Sequence, residues 1–281
     1  MCGGRNGINR TKTEKVKSQN PRPLSLNSVP SALESHEERI PSGILGLDAA
    51  LDGGFPEGTM ISLGGDIGTG TSTFCLQVVW SWLTTGGAAA YFCVDDPPET
   101  VVNHFKSYGW NVERYIEKKQ LTVFDTNTVT SHLSSKPEGQ NGVAERRALL
   151  GKYLGDVREQ LHSLGTNNNT ALPTLGVIDS LSSVAPYIDL RSAYVFAHMI
   201  AEYIRKSEDL LIAVVHTGAF EANIVCACNS VADGIIRLES ALTKGEVKRQ
   251  LRIEKMAFTQ IPPKTLEYKI TSKNGIKIIT R

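Results

Sequence analysis

Between Gly65 and Ser72 the chain reads GDIGTGTS, and an apolar helical periodicity follows at once. Glycines at 65, 68 and 70 let a backbone curl so that successive N–H groups face inward, while the following helix aims its positive end at the same point. That is chemistry for holding phosphate. The candidate nucleotide-binding residues are Gly65, Asp66, Ile67, Gly68, Thr69, Gly70, Thr71, Ser72 and Thr73. The spacing fits G-x-x-x-x-G-K-[S/T] at every position except the lysine, where Thr71 stands. Ser72 can still offer a hydroxyl to Mg²⁺. Thr71 cannot set a cation between the β- and γ-phosphates, where a charge-assisted hydrogen bond is worth about 1.5–3 kcal/mol. No lysine occurs between Lys17 and Lys106 to take its place. A glycine-rich turn between strand and helix also exists as plain architecture, so the loop alone leaves an empty, structural role open.

Other residues could complete such a site. The apolar run TLGVID ends on Asp179, a strand-end carboxylate able to hold a Mg²⁺ water; a simple strand cap has the same look. Asp95 and Asp96 follow AAAYFCV, and a carboxylate there could orient or deprotonate an attacking water, or merely solvate the turn before Pro97. Aspartate is one methylene shorter than glutamate, which makes a water in line with a γ-phosphate harder to reach. His216 closes LLIAVVH and could sense a γ-phosphate or cap its strand. Lys255, in RIEKMAF, could reach a nucleotide held by a neighbouring subunit or lie solvated on its strand.

These residues need a scaffold that brings strand ends together. TMISLGG (59–65), AAAYFCV (88–94), QLTVFDT (120–126), TLGVID (174–179) and LLIAVVH (210–216) are apolar nearly throughout. Helical patterns separate them at 72–86, 97–109, 144–164 and about 190–206, after a short helix near 46–52. Such strands between helices predict a parallel sheet covered on both faces. DGIIRLE, RQLRIEKMAF, TLEYKIT and GIKIIT follow without helices, so the sheet should end in an antiparallel extension. The polar stretches 127–143 and 165–172 are expected to be surface loops. Residues 1–36, rich in Asn, Ser, Pro, Lys and Arg without periodicity, are expected to form a disordered arm ahead of one domain at 37–281.

Composition narrows the function classes. Thirty basic against 29 acidic residues give a formal charge of +1, so no global field draws the protein to nucleic acid or anionic lipid. The five cysteines (2, 75, 93, 226, 228) suit reduced thiols better than a disulfide framework. Cys226 and Cys228 are expected to be small buried packing residues rather than a zinc pair. No segment approaches the roughly 18–20 apolar residues of a membrane span, and MCGGRNGINR lacks the apolar core of a signal peptide, so a cytoplasmic location is expected.

Taken in order, the segments resemble the KaiC-like ATPases of the RecA/RadA superfamily over roughly residues 39–281. RIPSGILGLDAALDGGFPEG is similar to the family's opening segment and GDIGTGTST to its phosphate loop. YFCVDDPPETVVNHFKSYGW is similar to its second strand and helix, VIDSL to its Walker B strand, and VADGIIRLE, RIEKMAF and YKITSKNGIKI to its closing strands. The resemblance implies a RecA-like P-loop fold that binds ATP and Mg²⁺ between subunits of a hexamer-like ring. It also marks three departures: the loop lysine is Thr71, the paired glutamates are Asp95 and Asp96, and the arginine expected two residues after Lys255 is Ala257.

These departures point to a degenerate ATP-binding subunit with weak or absent hydrolysis, acting through homo-oligomeric assembly or through regulation of an active paralogue. Two alternatives stand beside it. One is an active RecA-like ATPase whose missing cation comes from a partner in trans. The other is a recombinase-paralogue on DNA, resting on Arg5, Arg10, Lys12, Lys15 and Lys17 in the arm and weakened by the near-zero net charge.

Overall fold

The structure is a computed structural model that describes residues 39–135, 140–167, 172–216, 222–243 and 245–279. The expected arm at 1–36 lies outside the described residues.

A two-residue strand, β1 (Arg39–Ile40), pairs antiparallel with β2 (Phe55–Pro56) around the short helix α1 (Leu45–Ala50). The main sheet starts with β3 (Thr59–Gly65), which feeds α2 (Thr71–Thr84). There follow β4 (Ala88–Cys93), α3 (Pro98–Ser107), α4 (Glu113–Glu117), β5 (Leu121–Asp125), α5 (Asn127–Ser134) and α6 (Gln140–Asn167). Then come β6 (Thr174–Asp179), a 3₁₀ helix (Leu181–Tyr187), α7 (Leu190–Ser207), β7 (Leu210–His216) and α8 (Ala222–Val231). Four strands without helices end the described chain: β8 (Gly234–Thr243), β9 (Glu246–Met256), β10 (Leu266–Thr271) and β11 (Gly275–Ile278). The nine-stranded order is β11-β10-β9-β8-β3-β7-β6-β4-β5. Pairing is parallel from β8 to β5 and antiparallel from β8 to β11, as the apolar runs and the missing late helices imply.

The alternation of strand side chains explains why both faces are covered. On one face Ile61, Leu63, Tyr91, Val177, Ile212 and Val214 join Phe74, Val78 and Trp82 of α2 in one core. On the other, Met60, Phe92, Ile178, Leu211 and Ala213 join Leu154 and Leu161 of α6 and Ile200 and Ile204 of α7. A strand buried on both sides has no polar face to show, which is why these runs read as continuous.

Three expectations need correction. Residues 127–134 and 140–143 are helical, not loop, with 136–139 outside the described residues: α5 covers 127–134 because Leu133 is fully buried and Val129 packs on the second core, and α6 begins at 140. Tertiary burial outweighs the weak helical propensity of Ser, Thr and Asn. Residues 165–167 continue α6, while 168–171 lie outside the described residues. Cys226 is exposed, whereas Cys228 is buried at 3 % exposure. Positions i and i+2 of a helix cannot share a face.

Candidate nucleotide and metal site

Parallel register lines up the functional strand ends. Gly65 at the end of β3 lies level with His216 at the end of β7, and Asp179 at the end of β6 lies level with Cys93 at the end of β4. Since β3, β7, β6 and β4 are neighbours in that order, the phosphate loop, His216, Asp179 and the Asp95 turn form a row along the carboxyl edge of the sheet. Ligands bind at this edge in open α/β sheets.

The loop is curled. The Thr69 N–H and hydroxyl both donate to the Asp66 carbonyl, at 3.1 and 2.7 Å. Gly70, at φ +100°, is the N-cap of α2, with no side chain capping the helix and no acidic residue in its first turn. The amides of that first turn and the positive end of a 14-residue helix are therefore left for an anion. Two contacts explain the glycines. A Cβ on Gly65 would lie 2.6 Å from Thr69 Oγ1, and one on Gly70 would lie 2.5 Å from Ile270 Cδ1. Beside Ile270, the Tyr268 hydroxyl donates to the Thr69 carbonyl at 2.6 Å, so β10 clamps the loop from outside. Thr71 is 5 % exposed, its methyl turned toward Gly65, and Ile67 at the loop tip is 81 % exposed.

The carboxylates differ in setting. Asp179 accepts a 2.6 Å bond from the Tyr91 hydroxyl and another from Ser72. Burial raises its pKa; those two bonds lower it, nearby Asp95 raises it and His216 lowers it, and burial prevails. Asp95 is exposed but held by its own chain: Oδ2 accepts from the Ser180 N–H (3.1 Å) and hydroxyl (2.8 Å), and Oδ1 from the Ser183 hydroxyl. His216 donates its backbone N–H to Ser182 Oγ at 2.6 Å, and its Nδ1 lies 3.4 Å from the Gly65 carbonyl. One ligand atom each of Asp95, Asp179 and His216 lies within 4.8 Å of the others. Among the described residues, no lysine or arginine forms an ion pair with Asp95 or Asp179.

The expected residues therefore divide. Gly65 to Thr73, Asp95, Asp179 and His216 come together, with Thr73 Oγ1 3.0 Å from the Tyr108 hydroxyl. Asp96 is exposed and outside the convergent group. Lys255 pairs with Ile235 near the start of β8, toward the opposite edge from its own loop, and its Nζ donates to the Ala232 carbonyl at 2.6 Å. Tyr91, Ser180, Ser183, Tyr268 and Ile270 were not singled out as site residues from sequence. Ser180 adjoins Asp179 in VIDSL, but the others reach the site only through sheet register. The neighbouring thiol of Cys93 is no nucleophile, since burial, and then the charge of Asp179, push its pKa up to about 12.

The donor set fits Mg²⁺ with phosphate: a Ser72 hydroxyl touching the Asp179 carboxylate, beside an uncapped helix start. Among the described residues, no helix is long and apolar enough to cross a membrane.

Comparison with known proteins bears on the same region. The family model for the KaiC ATPase matches residues 40–281. The chain is 27% identical over 249 residues to a UPF0273 protein of Thermotoga maritima, covering 86% of this chain and 96% of that one. It is 28% identical over 246 residues to a UPF0273 protein of Pyrococcus furiosus, covering 85% and 93%. Among solved structures, a KaiC-like protein from Pyrococcus horikoshii superimposes with a TM-score of 0.69 at 23% identity, covering 86% of this chain and 99% of that one. That last likeness is one of fold.

Proposed function

The chain belongs to the KaiC ATPase family, and from that premise we propose that it is a nucleotide-binding member whose hydrolysis is weak or absent and which acts through assembly or regulation. The observation that carries this reading is Thr71, buried at the station where a phosphate-binding lysine would stand. The cradle survives because it is made of main chain, so Gly65–Thr73 still receives a triphosphate at the head of α2. Ser72 and Asp179 hold Mg²⁺, which when bound neutralises charge on the phosphate oxygens. With no fixed cation in the loop, both affinity and transition-state stabilisation fall, the second more steeply.

Asp95 supports the same reading. Its two oxygens already accept from Ser180 and Ser183, which ties up the carboxylate that would take a proton from an attacking water. Lys255, toward the opposite edge of the sheet, is useful to a nucleotide only if a neighbouring subunit presents that edge, which supports a role in a ring or with an active paralogue.

Isothermal titration with ATP and Mg²⁺, alongside a steady-state ATPase assay, tests the proposal. The natural chain binds weakly and turns over far below 1 s⁻¹, the low end of typical enzymes. Thr71→Lys tightens ATP binding by about 10- to 100-fold, the equivalent of one charge-assisted bond. A turnover near 1 s⁻¹ in the purified natural chain sinks the reading. Turnover that appears only when a partner protein is added supports completion in trans instead.

A further inference from the structure

Helices α6 and α7 run side by side in the same direction and leave an open groove that the phosphate loop and its carboxylates do not use. Arg147 reaches Ser192 Oγ at 2.8 Å, Tyr153 stacks on Phe196 with ring centroids 6.1 Å apart, and the Tyr203 hydroxyl donates to the Arg158 carbonyl at 3.2 Å. Between the helices lies a concave space of about 270 Å³, walled by Leu150 and Leu154 on one side and by Val195, Phe196 and Met199 on the other. Val195 and Met199 are each 47% exposed. Gly151 leaves the α6 wall open: a Cβ there, or at Gly155 about one turn on, would meet nothing within 4 Å. Glycine weakens a helix interior, and neither position has the positive φ or the crowding that would call for it.

From this geometry we infer that the α6–α7 groove docks an amphipathic helix of a partner protein, one that carries carboxylates beside its apolar face. Two parallel helices form a trough into which a third can lay an apolar ridge. Leu150 and Leu154 are four residues apart, as are Val195 and Met199, so both walls repeat at the interval of such a ridge. The bare backbone at Gly151 lets it come close. Charge selects the partner. The charged residues lining the groove are Arg147 and Arg191, one on each wall, and no carboxylate lines it. Arg147 shares its charge with Asp189 at 3.3 Å, whereas Arg191 is exposed and forms no ion pair among the described residues. An acidic helix gains from both arginines and a basic one is repelled. A second copy of this chain docking groove to groove about a two-fold axis would set each arginine against arginine, which disfavours that occupant. The inference does not depend on the nucleotide reading.

The experiment follows the fluorescence anisotropy of two labelled helical peptides of about 18 residues, or five turns, added to the full chain without ATP. Both carry leucines along one face; glutamates flank the leucines in one peptide and lysines in the other. The acidic peptide binds in the micromolar range, and the basic one at least about 10-fold more weakly. Arg191→Glu reverses that order. Gly151→Leu fills the groove and weakens the acidic peptide by roughly 10-fold, yet does not lower the thermal melt, because leucine suits an exposed helix position better than glycine. No saturable uptake of the acidic peptide by the natural chain overturns the assignment, as does equal binding of both peptides or an unchanged affinity in Gly151→Leu. Self-association of the natural chain that Gly151→Leu abolishes gives the groove to a second copy, and retention on phosphatidylserine vesicles that Arg191→Glu abolishes gives it to lipid; either result overturns the acidic helix. Peptide binding together with no ATP binding upholds the groove and sinks the nucleotide reading alone.

Discussion

The two edges of the same sheet treat aspartate in opposite ways. At the amino edge, Asp233 precedes β8 and is fully compensated: Arg205 reaches its Oδ1 through Nε at 3.0 Å and Nη2 at 2.9 Å, and the Met60 N–H donates to Oδ2 at 3.1 Å. At the carboxyl edge, Asp179 is pushed toward its neutral form by burial and, among the described residues, forms no ion pair with an arginine. The first arrangement ties β3, α7 and β8 together. The second costs stability when ionised, because burial disfavours its charged form. One fold thus separates an aspartate held by an arginine from one held by hydroxyl groups in a buried setting.

Substitutions at the two edges sharpen or break this comparison. The largest effect is expected from Asp233→Ala, which leaves Arg205 only the Val231 carbonyl and frees a β3 amide; about 2–3 kcal/mol is lost, discounted from a fully buried pair because Arg205 is half exposed. A thermal melt should fall by roughly 5–10 °C, and an unchanged melting temperature would show the amino edge to be ornamental. Gly70→Ala comes next, at about 2 kcal/mol, from a side chain forced to φ +100° and against Ile270; ATP titration should lose its signal along with the stability. Tyr268→Phe removes the bond to the Thr69 carbonyl and costs about 1 kcal/mol, read by denaturant midpoint.

The smallest effect has the opposite sign. Because the folded-state pKa of Asp179 is raised above its ordinary value of 3.8, whatever stability its protonated form supplies is present below that value and is lost as pH rises through the folded pKa. Asp179→Asn escapes the loss. The variant should melt slightly higher than the natural chain at pH 7, with the difference vanishing near pH 3. A natural chain that melts higher at pH 7 without ligand would break the comparison between the edges.

Much of the fold was legible because four strands, β3, β4, β6 and β7, are buried on both faces and so read as unbroken apolar runs; TLGVID and LLIAVVH have the bounds found in β6 and β7. Helix α5 was not legible, since a Ser/Thr/Asn-rich stretch has no local reason to coil until Leu133 meets the second core. In the site, the glycine spacing gave the loop, and apolar runs ending in Asp179 and His216 gave two convergent side chains. The spacing did not separate Asp95 from Asp96, because the choice depends on Ser180 and Ser183, some 85 residues away along the chain. Tyr91 was hidden for a similar reason: its hydroxyl meets Asp179 only once β4 and β6 pair.

The clamp from β10 has a consequence for how the protein comes into being. Thr69 and the Tyr268 that fixes it are 199 residues apart, and so are Gln77 of α2 and the Ile276 main chain to which it bonds. Synthesis runs from the amino end at about 5–20 residues per second, so a nascent chain carries its loop for at least ten seconds or so before the holding strands emerge. Locking of the loop is thereby postponed until position 268 has emerged, and a chain cut short before that position has no clamp on Thr69.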